Sequence, residues 1–292
     1  MIEGFSYERA ELDEVTINYA RAGSGPPLLL LHGYPQTHMT WHRVAPRLAE
    51  DFTVVVPDLR GYGDSSKPLP VDDHSTYSKR AMAQDQVDLM SRLGFEGFRV
   101  AGHDRGARVS YRLALDHPDR VQKLAVLDIV PTAEMFAMME SRLALGVYHW
   151  LFLAQPYDLP ERLIGADPEF WVRWHLRRWS GNRDVFFDPA AVDDYVRCFS
   201  DPEAIRASCE DYRAGASIDR VHDEVDREAG RKIGCPLLVL WGQREGAGSL
   251  FSHLDIWRRW ASNVSGHAVD SGHFLPEEVP DIVTEELLAL FR

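Results

Sequence analysis

The stretch FRVAGHDRGA, residues 98–107, joins a short apolar run to an aspartate flanked by glycines. The run 98–101 predicts a strand buried in a sheet, and the pattern of residues 107–116 predicts a helix after it. Gly102 and Gly106 permit a sharp strand-to-helix turn that lifts Asp104 out of the sheet, which is the geometry of a nucleophile elbow. The alternative is that Asp104 only caps the following helix.

Runs of the same kind recur on both sides of this turn. Short continuous apolar runs, typical of strands buried on both faces, lie at 28–31, 53–56, 123–127 and 236–241. Residues 15–20 alternate instead, as in a half-exposed strand, and residues 77–93 have a helical pattern. Strands that alternate with helices predict an α/β fold with a mostly parallel, doubly wound sheet and an antiparallel edge.

Between residues 131 and 231 the strand patterns disappear, and helix formers and aromatic residues dominate. We therefore expect one core domain made of residues 1–130 and 232–292, with a helical cap domain of residues 131–231 inserted into it. Its position in the chain places the cap over the carboxyl ends of the strands, where ligands bind in open α/β sheets. The helical spacing of Phe170, Trp171 and Trp174 predicts that they pack inside the cap.

Composition excludes several classes of protein. Of the 292 residues, 45% are hydrophobic and 26% are charged, values that are ordinary for a globular protein. The net charge of -13 argues against a nucleic-acid partner. The absence of a signal-peptide pattern and of a run of about 20 apolar residues predicts a cytoplasmic protein without a membrane partner. The three cysteines contain no CxxC pair, so neither disulfides nor a zinc site is expected, and each is interpreted as a packing residue.

Two residues that could complete a catalytic triad follow Asp104, in the order nucleophile, acid, histidine. His273, in the sequence SGHF at 271–274, follows the last apolar run and could act as the base for a hydrolytic water. Asp128 ends the run 123–127, where a short carboxylate could orient that imidazole. Glu245, in the loop after Trp241 and Gly242, is the rival for the role of acid.

An early loop provides hydrogen-bond donors. The sequence LHGYP at 31–35 resembles an oxyanion loop, and the backbone amides of Tyr34 and Arg105 could stabilise charge on the Asp104 carbonyl.

Arg105 and Arg108 fall in the first turn of the helix after Asp104. Positive side chains there add to the positive end of the helix dipole, at a cost of roughly 0.3 to 1 kcal/mol each. A substrate carboxylate held by both guanidinium groups would compensate them beside the nucleophile. Pairing with protein carboxylates in the cap is the alternative, and it is the role expected for Arg112.

Taken together, LHGYPQTH, GHDRGAR and SGHFLPEE resemble the fluoroacetate dehalogenases of the α/β-hydrolase superfamily, over essentially the whole chain. The resemblance implies that Arg105 and Arg108 bind the substrate carboxylate, and that His149, Trp150 and Tyr212 bind the halide. It implies an ester formed on Asp104 by displacement of halide from a small 2-haloacid, then hydrolysis through His273. No cofactor or metal is expected.

Related activities fit the sequence less well. Haloalkane dehalogenases typically have Trp at the position of Arg105, and epoxide hydrolases use two cap tyrosines, for which only Tyr212, with Tyr148 or Tyr157, is available. Tyr34 stands where many fluoroacetate enzymes have Phe. A non-catalytic small-molecule receptor is the alternative of a different class. The choice among fluoro-, chloro- and bromoacetate depends on pocket volume at the scale of one atom, and a homodimer is compatible with the resemblance.

Overall fold

The structure, a computed structural model, describes residues 1–180, 187–244 and 251–292. In this part of the chain eight strands form one sheet in the spatial order β1-β2-β4-β3-β5-β6-β7-β8. The strands are Ser6–Glu11 (β1), Thr16–Ala22 (β2), Pro27–Leu31 (β3), Thr53–Pro57 (β4), Phe98–His103 (β5), Val121–Leu127 (β6), Leu237–Gly242 (β7) and Val264–Val269 (β8).

Helices lie between the strands and after the last one. Those in the described ranges are Ala45–Leu48 (α1), Lys79–Arg92 (α2), Arg105–Asp116 (α3), Thr132–Ala137 (α4), Ser141–Gly146 (α5), Tyr148–Leu153 (α6), Leu159–Gly165 (α7), Pro168–Trp179 (α8), Pro189–Phe199 (α9), Pro202–Ala216 (α10), Ile218–Glu228 (α11), His253–Trp260 (α12), Leu275–Glu278 (α13) and Pro280–Phe291 (α14). None of them combines the length and the hydrophobicity that a membrane span requires.

The sheet is mostly parallel, as the sequence predicts. β3 to β8 pair in parallel, whereas β1 pairs antiparallel with β2, and β2 with β4. Every residue of β4, and all but the first residue of β3, is buried, because helices cover both faces of the central strands. The six predicted strands correspond to β2 to β7, while β1 and β8 were not predicted.

This topology brings the ends of separate strands together. In a parallel sheet the carboxyl ends of neighbouring strands share one edge, and the connections that follow them form the usual ligand site. Tyr34 follows β3, Asp104 follows β5, Asp128 follows β6 and His273 follows β8. Four predicted site residues, distant in sequence, therefore lie along one edge of the sheet.

Helices α4 to α11 lie between β6 and β7, and we call them the helical segment. Polar contacts tie it to the rest of the protein: Tyr195 donates to Glu277 at 2.5 Å and Thr37 donates to Asp194 at 2.7 Å. The expectation that Phe170, Trp171 and Trp174 pack inside this segment is wrong for two of them. Phe170 is 61% exposed and Trp174 is 38% exposed, because one face of α8 meets solvent. The cysteines are free thiols; Cys198 and Cys209 are buried and Cys235 is half-buried.

Candidate active site

Asp104 occupies a sharp turn between β5 and α3. Its φ is 47° and its ψ is -117°, a strained conformation for a residue other than glycine. A Cβ atom on Gly102 would lie 2.4 Å from Ser110 Oγ, and one on Gly106 would lie 2.3 Å from the His32 carbonyl oxygen. Both positions therefore require glycine. The Asp104 side chain makes no capping hydrogen bond to α3, which favours the nucleophile elbow over the capping alternative.

The Asp104 carboxylate is buried and points toward the loop after β3. Its Oδ2 atom accepts a hydrogen bond from the Tyr34 amide at 2.9 Å. Of the two amides predicted to serve the carbonyl, Tyr34 is thus in place, whereas the Arg105 amide makes no hydrogen bond to this carboxylate. Burial raises the pKa of Asp104, but the nearby charges of His273, Arg105 and Arg108 outweigh it and lower the pKa below its ordinary value. The group is an ionised carboxylate at neutral pH.

His273 and Asp128 form the pair that the sequence predicts. His273 Nδ1 donates to Asp128 Oδ2 at 2.6 Å, and Asp128 Oδ1 accepts from the Gly242 amide at 2.9 Å. The other ring nitrogen, Nε2, lies 4.0 Å from Asp104 Oδ1. Burial alone would lower the pKa of His273, but the hydrogen bond and charge of Asp128, with the charge of Asp104, raise it. The rival acid, Glu245, lies outside the described residues.

Arg105 is engaged by a carboxylate of the helical segment. Its Nε donates to Asp211 Oδ2 at 3.0 Å and its NH2 donates to Asp211 Oδ1 at 2.5 Å, while NH1 is buried and has no partner among the described residues. Asp211 also accepts from Tyr62 at 2.6 Å and from the buried Lys79. The charge of Arg105 is therefore compensated within the protein, as the alternative interpretation expects, although one nitrogen remains available.

Arg108 differs in its surroundings. It is 2% exposed, and its NH1 donates to the Val130 carbonyl at 3.0 Å and to Thr132 Oγ1 at 3.1 Å. Its guanidinium carbon lies 4.4 Å from the centre of the Trp150 ring. In the described ranges no carboxylate of the protein lies within 4.0 Å of it, whereas Arg112, one turn further on, is paired as predicted with Asp223 at 2.7 Å. Arg108 is thus a buried cation in need of an anion.

The three residues expected to bind halide lie close to one another. The ring of Tyr212 is centred 5.7 Å from that of His149 and 5.9 Å from that of Trp150. Among the described residues, none bonds to the Tyr212 hydroxyl, to Trp150 Nε1 or to His149 Nδ1. Burial, reinforced by neighbouring positive charges, holds the pKa of His149 well below its ordinary value, so its ring is neutral. The cluster can offer N–H and O–H donors to an anion.

A cavity of ≈ 100 Å³ lies between the nucleophile and two of the three residues expected to bind halide. Its walls include Asp104, Arg108, His149, Trp150 and His273. Arg105 and Tyr212 adjoin these wall residues: the Arg105 guanidinium carbon lies 4.2 Å from the centre of the Tyr212 ring and 5.5 Å from that of the Trp150 ring. Pockets for drug-sized ligands occupy roughly 300–1,000 Å³, so this volume suits a much smaller molecule.

Sequence reasoning missed residues that hold this arrangement in place. No sequence motif marks Asp211 as the partner of Arg105, so the sequence did not predict this ion pair. Glu278 accepts hydrogen bonds from the amides on both sides of His273, at 2.8 and 2.9 Å. His103, the residue before Asp104, places its Nε2 2.7 Å from the His273 carbonyl oxygen. Only the folded chain brings these groups together.

An aspartate elbow, a histidine paired with a strand-end carboxylate and a mostly parallel sheet define a hydrolase of the α/β class. The family model described as the α/β hydrolase fold matches residues 26–280, and the chain belongs to that family. Within it the protein is fluoroacetate dehalogenase-like: it is 47% identical over 281 residues to the fluoroacetate dehalogenase of Burkholderia sp., covering 96% of this chain and 92% of the relative.

One further relative and one solved structure bear on which substrate class this hydrolase acts on. The soluble epoxide hydrolase of Corynebacterium sp. (strain C12) is 36% identical over 296 residues, which cover 98% of this chain and 97% of the relative. The solved structure of an α/β hydrolase from Nostoc sp. PCC 7120 has a TM-score of 0.96 and 53% identity, covering 100% of this chain and 99% of that one. The Corynebacterium and Nostoc proteins are hydrolases by name, but the Burkholderia and Corynebacterium proteins are named for different activities.

Proposed function

We propose that this hydrolase cleaves the carbon–halogen bond of small 2-haloacids, with fluoroacetate as the leading substrate. The observation that carries the proposal is Arg108, a buried guanidinium that borders the same cavity as Asp104 and has no carboxylate partner among the described residues. A substrate carboxylate would compensate it and leave the 2-carbon beside the nucleophile. The similarity to a fluoroacetate dehalogenase supports the same substrate class.

The first step is displacement. An Asp104 carboxylate oxygen attacks the 2-carbon of the haloacid and forms an ester bond, while the carbon–halogen bond breaks and halide leaves with the bonding electrons. Arg108 holds the substrate carboxylate and reduces its repulsion from Asp104, aided by Arg105 NH1, which has no hydrogen-bond partner among the described residues. No proton is transferred in this step, so no base is needed.

Departing halide would be bound by the donors of His149, Trp150 and Tyr212. Fluoride is a poor leaving group, so donors placed where its charge develops lower the barrier. The Tyr212 hydroxyl and the Trp150 N–H suit this role, because neither has a hydrogen-bond partner within the part of the chain that the structure describes. The helical segment that carries them would act as a cap over the cavity. The assignment rests on the family resemblance and on these unpaired donors together.

The second step is hydrolysis of the ester. His273 takes a proton from water, and the resulting hydroxide attacks the Asp104 carbonyl carbon while the Tyr34 amide stabilises the oxyanion. Collapse breaks the bond between the carbonyl carbon and the alkoxide oxygen, and His273 returns its proton to that oxygen. The 2-hydroxyacid, glycolate in the case of fluoroacetate, is released and the Asp104 carboxylate is restored. Ester formation also removes a negative charge that raises the pKa of His273, which makes the imidazole easier to use as a neutral base. Side chains and water suffice for the chemistry.

Epoxide hydrolysis is the second candidate, favoured by the Corynebacterium relative. An epoxide is neutral, so it would leave Arg108 uncompensated. The tyrosines considered as partners for Tyr212 are poorly placed: Tyr157 is 72% exposed, and the Tyr148 hydroxyl is hydrogen-bonded to His175 Nε2 at 3.2 Å. These observations favour the haloacid.

The deciding experiment measures halide release from fluoro-, chloro- and bromoacetate and diol formation from small epoxides, with the same purified protein. We expect glycolate and halide in equal amounts, and no diol at comparable rates. Diol formation without halide release would favour the epoxide hydrolase. Tight binding of haloacetate without any turnover would favour a receptor.

A further inference from the structure

The loop that carries His273 is fixed at three consecutive backbone positions. Glu278 accepts from the Gly272 amide through Oε2 at 2.8 Å and from the Phe274 amide through Oε1 at 2.9 Å. Between them, the His273 amide donates to the Trp179 carbonyl at 2.9 Å, and the His273 carbonyl lies 2.7 Å from His103 Nε2. The amides of residues 272–274 and the carbonyl of His273 therefore all have hydrogen-bond partners, which fix the backbone from which the His273 ring extends.

His103 reaches this loop because it precedes Asp104 in the elbow. Burial, with the charge of His273, lowers the pKa of His103 to about 4, so the ring is neutral at working pH. A carbonyl oxygen can only accept, and therefore Nε2 carries the proton and donates it; the buried Nδ1 has no partner among the described residues. One rigid turn thus sets the position of the nucleophile and, through His103, that of the base.

We propose that His103 and Glu278 are positioning residues for ester hydrolysis, acting by fixing the backbone of His273. The distance they maintain is the 4.0 Å between His273 Nε2 and Asp104 Oδ1, across which a water must be activated. Displacement of halide uses Asp104 and no base, so its rate should not depend on the hydrogen bonds that His103 and Glu278 make to the His273 loop. The inference rests on the covalent ester mechanism of the proposed function. It gives His103 and Glu278, which touch no reacting atom, a role in the hydrolysis of that ester.

The test compares His103→Leu, His103→Gln and Glu278→Gln with the natural protein on bromoacetate, whose good leaving group makes displacement fast. Rapid quenching gives the rate and amplitude of the halide burst, and intact-protein mass follows the ester. We expect an unchanged burst rate, a steady-state rate lower by about 10- to 100-fold, as for a misplaced catalytic group, and accumulated ester. His103→Gln should recover part of the rate, because its amide N–H can still donate.

His42→Leu is the matched control. His42 also bonds a backbone carbonyl through a ring nitrogen, that of Met39 at 2.8 Å, and it lies outside the site. Its loss should leave both phases unchanged. Equal slowing of the burst and the steady state in the His103 and Glu278 variants, or no change in either phase, would overturn the inference.

Failure of the proposed function would look different. If the natural protein releases no halide from any haloacetate but hydrolyses an epoxide, the substrate class is wrong, and the same variants can be tested on that epoxide. Ester accumulation would then still support the positioning role, since it depends only on Asp104 and His273.

Discussion

Replacing Arg108 by glutamine should weaken substrate binding while leaving the stability of the fold nearly unchanged. The matched change at Arg112 should lower the stability and leave substrate binding unchanged. The two arginines lie one turn apart on α3 and are both buried. Arg112 is neutralised by Asp223 at 2.7 Å and Asp226 at 2.5 Å. Among the described residues, the Arg108 guanidinium instead contacts a carbonyl, a hydroxyl and the Trp150 ring, and no carboxylate lies within 4.0 Å of it. Comparing the two variants therefore separates the effect of a substrate carboxylate on Arg108 from the effect of protein carboxylates on Arg112.

The magnitudes follow from these contacts. Truncating one member of a desolvated charge pair costs about 2 to 5 kcal/mol, so kcat/KM of Arg108→Gln for bromoacetate should fall about 30- to 4,000-fold. Its free energy of unfolding should change by no more than about 1 kcal/mol, because two lost hydrogen bonds oppose the relief of a buried charge. Arg112→Gln removes the buried cation that Asp223 and Asp226 share. Asp226 keeps the half-exposed Arg231 at 2.5 Å, but Asp223 keeps only the neutral donors Tyr111 and the Ala133 amide, so the variant should lose about 3 to 5 kcal/mol of stability.

Halide-release kinetics and urea unfolding followed by circular dichroism provide both quantities for each variant. Activity per folded molecule should be unchanged in Arg112→Gln. The reasoning is refuted if Arg108→Gln keeps the kcat/KM of the natural protein, or if both variants lose stability to the same extent.

Three further outcomes are expected. His273→Asn should release about one equivalent of halide per site and then stop, because displacement needs no base; steady multiple turnover would show that another group is the base. Trp150→Phe and Tyr212→Phe should slow fluoroacetate turnover by about 10²- to 10³-fold and bromoacetate turnover far less, whereas equal losses would mean that both are packing residues. Only the neutral His273 ring can accept a proton, so hydrolysis should slow as the pH falls through the pKa of His273 in the ester, where Asp128 still raises that pKa but the Asp104 charge no longer does. The burst rate should stay constant, and a parallel fall in both rates would contradict the assigned role.

The sequence predicts the centre of the fold better than its edges. Residues 98–101 and 53–56 lie in central strands, where burial on both faces leaves a continuous apolar signal. β1 and β8 were missed because they are edge strands with mostly solvent-exposed or half-exposed residues, and neither has a clear alternation of apolar and polar side chains. Phe170 and Trp174 were misjudged because helical spacing alone does not say which face of α8 meets solvent.

The site could be predicted where its residues directly follow strands. Asp104 and Asp128 end apolar runs, and the parallel sheet brings these ends to one edge. The partner of Arg105 could not be predicted, because Asp211 lies on α10 and approaches only when the helical segment packs on the core. Glu278 likewise bonds to backbone amides, and backbone amides leave no mark in a sequence.

Single turnover in heavy-oxygen water tests the covalent mechanism most directly. With enzyme in excess over bromoacetate or fluoroacetate, hydroxide derived from solvent attacks the Asp104 carbonyl carbon, so the heavy oxygen should appear first in the peptide containing Asp104. The hydroxyl oxygen of the glycolate formed in that turnover should come from the original, unlabelled carboxylate of Asp104. Heavy oxygen found directly in the glycolate, with Asp104 unlabelled, would mean that water itself attacks the substrate and would contradict the account.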